Sequence, residues 1–167
     1  MTNDITRPHR PAAAVALMAL LFAAGCQNNV FSMVAPKGGG EGVGASATGE
    51  MYLASIRSDH GLPSLSPDEK LEKAAAQQAT YMARAAEMTH RTGWRKDFAT
   101  RMKENGVEGA AAENVAYGAM DPEKLFKMWM DSKGHRRNML DPRFAHYGLA
   151  SAEDGQGRKY WALVLGR

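Results

Sequence analysis

The chain has 167 residues, which is the length of one ordinary domain. Its apolar fraction of 44% is typical of a globular protein, and its formal net charge of +3 is too small to indicate nucleic-acid binding. The single cysteine, Cys26, excludes an internal disulfide framework and a cysteine-rich zinc site.

The N-terminus has the pattern of a secretory signal. Arg7 and Arg10 precede an uncharged apolar stretch over residues 11–25, and small residues end that stretch. A helix over residues 11–25 would span roughly 22 Å, which is short of a hydrocarbon core of ~30 Å. We therefore predict that residues 1–25 are a cleaved signal rather than a retained transmembrane helix.

The signal ends in Ala-Ala-Gly followed by Cys26, which resembles a bacterial lipobox. The resemblance implies that the Cys26 thiol receives a diacylglycerol, that cleavage occurs before Cys26, and that a further fatty acid such as palmitate joins the new N-terminus. Two acyl chains are enough for stable anchoring. The alternative is an ordinary signal with a chance cysteine. The lipobox predicts an extracytoplasmic protein anchored to the cell membrane, or an outer-membrane and periplasmic location if the cell has two membranes.

Residues 26–50 are predicted to form the lipidated cysteine and a flexible linker, followed by a folded domain over residues 51–167. Glycine occupies positions 38, 39, 40, 42, 44 and 49, and the segment shows no hydrophobic period. Such a linker keeps the domain close to the membrane surface.

Helical signals dominate the first part of the domain. The first helix is predicted from Tyr52 to His60. The second is predicted to begin with Ser66 as the N-cap, Pro67 in the first turn and Glu69 closing a capping box.

Two more helices are predicted from apolar residues at helical spacing. The third covers residues 94–105, and the fourth begins at Asp121 and Pro122. The side chains predicted to be buried are Trp94, Phe98 and Met102 in the third helix, and Leu125, Phe126 and Trp129 in the fourth.

Strand signals are concentrated near the C-terminus. A short strand is predicted over residues 114–118, and strands over residues 147–151 and 159–165 flank a Gly-rich turn, so they are predicted to form a hairpin. His146 is predicted to begin a strand and to face solvent, and Trp161 to lie in the core. Helices followed by an antiparallel sheet indicate a layered α+β fold.

Three residues with metal-ligating or acid–base side chains lie at the edges of these elements, where functional sites are commonly built. His90 follows the long second helix, Glu113 precedes the first predicted strand, and His135 follows the fourth helix. His60, by contrast, is predicted to lie on the surface.

Four segments in this order resemble the CAP superfamily, which groups cysteine-rich secretory, antigen 5 and pathogenesis-related proteins. They are residues 52–63, Thr89-His90, Glu113-Asn114 with Ala116, and residues 129–140, whose W-x-x-S-x-G-H-R-x-N-M-L pattern is the most specific. The resemblance covers residues 52–165 and implies a three-layer α-β-α sandwich with a small antiparallel sheet.

The CAP resemblance also implies a central cleft lined by two histidines and two acidic residues. His90, Glu113 and His135 match three of these positions, while the fourth holds Ser132 instead of an acid. Asn114, Ser132 and Asn138 are predicted to support the cleft, Ser132 by capping the short helix that begins near Gly134 and the two asparagines by bonding loop backbone.

Several chemistries remain open for the three candidate residues. Two imidazoles and a carboxylate can bind a divalent cation such as zinc, a Ser132-His135-Glu113 arrangement suits nucleophilic catalysis, and a buried His-Glu cluster can also be purely structural. Arg136 and Arg137 are predicted to be solvated.

We expect an envelope protein that binds a lipid, a peptidoglycan fragment or a protein partner without catalysing a reaction. The alternative is a metal-dependent hydrolase or peptidase that uses His90, His135 and Glu113 to activate water.

Overall fold

The computed structural model describes residues 39–167. The predicted signal, Cys26 and the first part of the predicted linker lie outside the described residues. Within residues 39–167, no helix combines the length and the apolar character needed to cross a membrane.

The described part of the chain contains five helices and five strands. In chain order they are β1 (Val43–Gly44), α1 (Ser46–Asp59), β2 (Ser66–Pro67), α2 (Glu69–Ala85), α3 (Phe98–Glu104), β3 (Ala111–Tyr117), α4 (Pro122–Asp131), α5 (Lys133–Met139), β4 (His146–Glu153) and β5 (Lys159–Gly166).

The strands form one sheet in the order β1-β4-β5-β3, and β2 joins β4 from the side. All pairs are antiparallel except β2 with β4. The predicted hairpin is confirmed, since β4 pairs with β5 in a register that places Ala150 opposite Ala162.

Helices cover both faces of the sheet, which confirms the predicted α-β-α sandwich. Successive side chains of β5 point to opposite faces. Leu163 and Leu165 join a core cluster with residues of α1 and α4, whereas Ala162 and Val164 join a second cluster beneath α2 and α3. The predicted burial of Leu125, Phe126, Trp129, Met102 and Trp161 is confirmed.

The first helix begins at Ser46, six residues before the predicted start, and the folded part therefore extends to the N-terminal side of residue 51. Gly49 explains the difference, because this glycine serves close packing inside the helix rather than a linker. A Cβ atom there would lie 2.9 Å from Leu149 and 3.3 Å from Phe126. The Ser46 hydroxyl accepts a hydrogen bond from the Leu149 amide at 3.0 Å. Glycine is thus required here for close helix packing, although its abundance indicated a linker.

The predicted cap of the second helix is wrong. Asp68 is the N-cap, and its carboxylate accepts a hydrogen bond from the Leu71 amide at 2.9 Å. Ser66 and Pro67 lie in β2, where the Ser66 amide donates to the Ala145 carbonyl. Pairing with the sheet therefore replaces the capping box.

The third helix begins at Phe98 rather than at Trp94. Asp97 caps it by accepting a hydrogen bond from the Thr100 amide at 3.0 Å, and the preceding Arg95 has a positive φ of 57° that a helix does not allow. The burial prediction for Trp94 is therefore wrong, since this residue is 81% exposed. Phe98 is half-buried.

Ser132 occupies the N-cap position of α5, but its side chain makes no capping hydrogen bond. The predicted capping role of its hydroxyl is therefore wrong. The amide of Arg136 bonds to the Ser132 carbonyl at 2.8 Å, so backbone groups alone close the first turn. His146 begins β4 as predicted and is half-buried rather than solvent-facing.

The fully buried Arg57 fixes α1 against the chain between α5 and β4. Its guanidinium donates to the backbone carbonyls of Pro63, Met139, Asp141 and Phe144, at distances between 2.7 and 3.4 Å. Backbone oxygens thus satisfy a charged group that would be costly to bury without partners. This network fixes the position of α5, which carries His135.

Candidate functional site

Three separate elements contribute the candidate site residues. His90 lies in the loop between α2 and α3, Glu113 lies in β3, and His135 lies in α5. The Nδ1 atom of His90 is 2.9 Å from Oε1 of Glu113. His135 is held beside the same strand, because the side-chain amide of Asn114 donates to its carbonyl at 3.1 Å.

Glu113 is a buried carboxylate whose two oxygens both bond to protein groups. Its side chain is only 3% exposed. Oε1 accepts a hydrogen bond from His90 Nδ1, and Oε2 accepts one from the guanidinium of Arg101. A buried negative charge requires such partners, and the ion pair with Arg101 supplies the opposite charge.

Arg101 is the site residue that the sequence analysis missed. It lies in α3, is fully buried, and donates from Nη1 to the carbonyls of His90 at 3.3 Å and Lys96 at 3.0 Å. One side chain therefore fixes both Glu113 and the loop that carries His90. The available signal was an arginine on the apolar face of a helix, adjacent to Met102 and three residues after Phe98.

His135 is held in its neutral form more strongly than an ordinary histidine. Burial lowers the pKa of His135 below its usual 6.5, and the nearby charge of His90 lowers this pKa further. Among the described residues, no group hydrogen-bonds to the buried Nδ1 atom of His135. His90 is different, because 55% of its side chain is exposed.

The two predicted supporting asparagines connect β3 to α5 directly. Asn114 is fully buried, and its carbonyl oxygen accepts a hydrogen bond from the Asn138 side chain at 2.9 Å. Asn138 also donates to the backbone carbonyl of Glu113 at 3.3 Å. The asparagines thus bond to helix and strand backbone, rather than to the loop backbone that was predicted.

Ser132 is not arranged as a nucleophile. Within residues 39–167, its hydroxyl makes no hydrogen bond to His135, so the base that would activate it is missing. The Ser132-His135-Glu113 arrangement therefore lacks the contact on which it depends.

The donor set does not fit a resident zinc ion. In the described part of the chain, no group of three His, Cys, Asp or Glu side chains is placed to hold a metal. Glu113 already bonds to Arg101 and His90, and a dication at its carboxylate would lie beside the buried Arg101 cation. Like charges at such distances repel strongly where water is excluded.

A family model described as the cysteine-rich secretory protein family, CAP, matches residues 52–165. The chain belongs to this family. The match contains all four motifs and includes Arg101 along with His90, Glu113 and His135.

Two proteins of Bacillus subtilis strain 168 are similar in sequence to this CAP chain. YkwD is 36% identical over 100 residues, which are 59% of this chain and 39% of YkwD. YlbC, described as a membrane protein, is 29% identical over 107 residues, which are 64% of this chain and 30% of YlbC. The CAP chain therefore spans well under half the length of either relative.

Solved structures share the fold. An extracellular protein containing a SCP domain from Bacillus anthracis superposes with a TM-score of 0.61 at 25% identity, over 69% of this chain and 37% of that chain. An outer surface protein of Borrelia burgdorferi superposes with a TM-score of 0.63 at 17% identity, over 75% of this chain and 98% of that chain. The second similarity shows the fold alone.

The Arg101–Glu113 ion pair can be tested by removing one or both charges. We expect Arg101→Met to lower the free energy of unfolding by about 3–5 kcal/mol, because Glu113 becomes a buried charge without its partner. Arg101→Met combined with Glu113→Gln should be more stable than Arg101→Met alone. Urea unfolding followed by circular dichroism measures both.

The matched control for this experiment is Arg84→Met, because the Arg84 side chain is 52% exposed and its ion-pair partner among residues 39–167 is the exposed Glu41. Its effect should stay within about 1 kcal/mol. Equal stability of the single Arg101 variant and the double variant would contradict the coupling.

The lowered pKa of His135 predicts a pH dependence of stability. Below about pH 6.5 the unfolded chain binds a proton at this position more readily than the folded chain, so stability falls as pH decreases. The His90→Asn variant should raise the pKa of His135, because it removes the nearby charge. NMR titration of the His135 ring protons measures this pKa, and His146→Gln should leave it unchanged. A lower or unchanged pKa of His135 in the His90 variant would contradict the assigned coupling.

Proposed function

We propose that this chain is a membrane-anchored, extracytoplasmic CAP lipoprotein whose cleft binds a ligand without catalysing a reaction. The ligand would be a lipid, a wall fragment or a protein of the cell envelope. The observation that carries the proposal is the burial and bonding of Glu113. Its carboxylate bonds to Arg101 and His90 and is almost inaccessible to solvent.

Membrane anchoring is supported by the lipobox at Cys26 and by the signal that precedes it. The names of similar proteins agree with a location outside the cytoplasm. One solved neighbour is described as an extracellular protein, another as an outer surface protein, and YlbC as a membrane protein.

The charge around Glu113, His90 and His135 supports an anionic or hydrogen-bonding ligand group rather than a cation. Arg101 neutralises Glu113, and the lowered pKa of His135 keeps its ring neutral near pH 7. His90 is the exposed member, and an imidazole carries no negative charge. The sum of these charges is therefore zero or positive, which does not favour a metal cation.

His90 is the residue best placed to contact the ligand. Its Nδ1 atom donates a hydrogen bond to Glu113, which fixes the ring. The other ring nitrogen, Nε2, is then the one that can bond to a ligand. Glu113 thereby orients the ring, as a carboxylate partner commonly does for a histidine. A hydrolase would instead need a carboxylate that can reach an attacking water, and Glu113 is not accessible for this.

Zinc titration separates the binding protein from the metal-dependent hydrolase. We expect calorimetry of the full chain near pH 7.5 to give the same zinc uptake for the natural sequence and for the His90→Ala/His135→Ala variant. The comparison cancels any zinc bound elsewhere, for example at Cys26. Saturable micromolar binding that disappears in the double variant would contradict this part of the proposal.

Lipid anchoring is tested by growing cells that express the full chain with radioactive palmitate. The natural sequence should incorporate the label and fractionate with membranes, whereas Cys26→Ser should incorporate none, because the thiol is the attachment point. Replacement of Ser132 by Ala is a matched control that keeps Cys26, and it should be labelled normally. A labelled Cys26→Ser variant, or an unlabelled natural chain, would contradict the anchor.

A further inference from the structure

The loop between α2 and α3 presents a tryptophan to solvent. Trp94 is 81% exposed, whereas Trp129 and Trp161 are 0% and 5% exposed. Met88 in the same loop is 45% exposed. Exposed aromatic and apolar side chains at one surface region often mark a contact with another molecule. We call residues 87–96 the Trp94 loop.

Buried side chains bond to the backbone of this loop. Arg101 donates to the carbonyls of His90 and Lys96, and the buried Gln78 side chain donates to the carbonyl of Thr89. Gly93 and Arg95 have positive φ angles of 147° and 57°, so the turn that places Trp94 outside the core has an unusual backbone. Buried hydrogen bonds therefore support the exposed position of Trp94.

Basic residues flank Trp94 in the chain, and one of them lies beside its ring. The Arg95 guanidinium lies 5.4 Å from the centre of the Trp94 ring, and Arg91 and Lys96 are also exposed. The Lys96 ammonium lies 4.7 Å from the centre of the Tyr81 ring. Three basic side chains thus accompany one tryptophan within six residues of chain.

The acidic groups near the Trp94 loop cancel only part of this charge. Glu87 is exposed at the start of the loop and opposes one of the three basic residues. Asp97, which follows the loop and caps α3, opposes a second basic residue, because hydrogen bonds from Thr100 and also the charge of Arg91 lower the pKa of the Asp97 carboxyl. Three basic and two acidic side chains therefore lie between residues 87 and 97. The exposed tip around Trp94 therefore keeps a positive charge.

We propose that the Trp94 loop docks on the anionic phospholipid surface of a membrane, with Trp94 at the headgroup level and Arg91, Arg95 and Lys96 beside lipid phosphates. Tryptophan is favoured at the membrane–water interface because its ring is apolar and its N–H is polar. Basic side chains are attracted by the negative potential of anionic lipids.

This contact is separate from the predicted anchor at Cys26, and the two would act together. A tethered domain meets the membrane at a high effective concentration, so a weak contact is sufficient to orient it. Because His90 lies four residues before Trp94, docking brings the exposed side of His90 towards the headgroups. This last step rests on the proposed binding function and indicates a ligand presented at the membrane surface.

Tryptophan fluorescence of the full chain tests the docking. Because Trp129 and Trp161 are buried, quenching by lipids brominated in the upper acyl chain reports mainly on Trp94. We expect quenching and a blue shift with vesicles of phosphatidylcholine and phosphatidylglycerol, and several-fold less of both at high salt or with phosphatidylcholine alone. Trp94→Ala should lose the lipid-dependent quenching.

Charge variants identify the electrostatic part of the contact. Arg91→Gln/Arg95→Gln/Lys96→Gln should lose most of the quenching in anionic vesicles. Lys70→Gln/Lys73→Gln/Lys124→Gln removes the same charge from exposed positions outside the loop and should retain it. Quenching by acrylamide in the absence of lipid checks that Trp94 remains exposed in each variant.

Three results would overturn the proposal. The first is a Trp94 that stays accessible to acrylamide while the chain is bound to anionic vesicles. The second is equal quenching in neutral and anionic vesicles. The third is a fluorescence change with soluble peptidoglycan fragments but none with vesicles, which would assign the loop to a wall polymer. All variants share the same N-terminal segment and each readout reports on the Trp94 ring, so failure here leaves the lipid anchor and the cleft proposals separately testable.

Discussion

The buried ion pair between Arg101 and Glu113 is the interaction on which the rest of the candidate site depends. Both side chains are almost inaccessible to water, so each charge needs the other. Arg101 also bonds to the backbone of the loop that carries His90, and Glu113 bonds to the ring of His90. The pair thus connects α3, β3 and this loop, and it sets the charge that a ligand would meet.

The sandwich architecture explains why these residues meet. β3 lies at the sheet edge beside β5, and Asn114 and Asn138 join it to α5. Arg57 fixes α5 from the opposite side through the Met139 carbonyl. Arg57 bonds to backbone carbonyls, and Arg101 bonds to backbone carbonyls and to the carboxylate of Glu113. These two buried arginines therefore fix segments that have little regular structure. In a chain with a single cysteine, these polar networks connect its loops to the core.

Local sequence patterns predicted those elements whose burial follows their own periodicity. The apolar spacing of Leu125, Phe126 and Trp129 indicated α4, and the strands on either side of a Gly-rich turn indicated the hairpin. The patterns failed where tertiary contacts decide. Gly49 lies in a glycine-rich stretch that predicted a linker, but it packs closely against Leu149 and Phe126. Trp94 has helical spacing with the apolar residues that follow it, but the Asp97 cap begins the helix after Trp94.

The candidate residues were indicated by their places at element edges and by family motifs, and their chemistry did not follow from either. His90 and Glu113 are in contact, but the decisive partner of Glu113 is Arg101, which lies 12 residues away in the chain. The place of Arg101 on the apolar face of a helix does not identify Glu113 as its partner. A carboxylate and two imidazoles suggested zinc because these side chains are common ligands. In the structure that carboxylate instead forms an ion pair with a guanidinium, and no spacing rule indicates this pairing.

The most direct test of this account is the tautomer of His90, measured by a long-range nitrogen–proton NMR correlation of the histidine rings at alkaline pH. The account predicts a proton on Nδ1, because that atom donates to Glu113, and a bare Nε2. A proton on Nε2 with a bare Nδ1 would contradict it, since Glu113 would then have to be protonated or turned towards another partner.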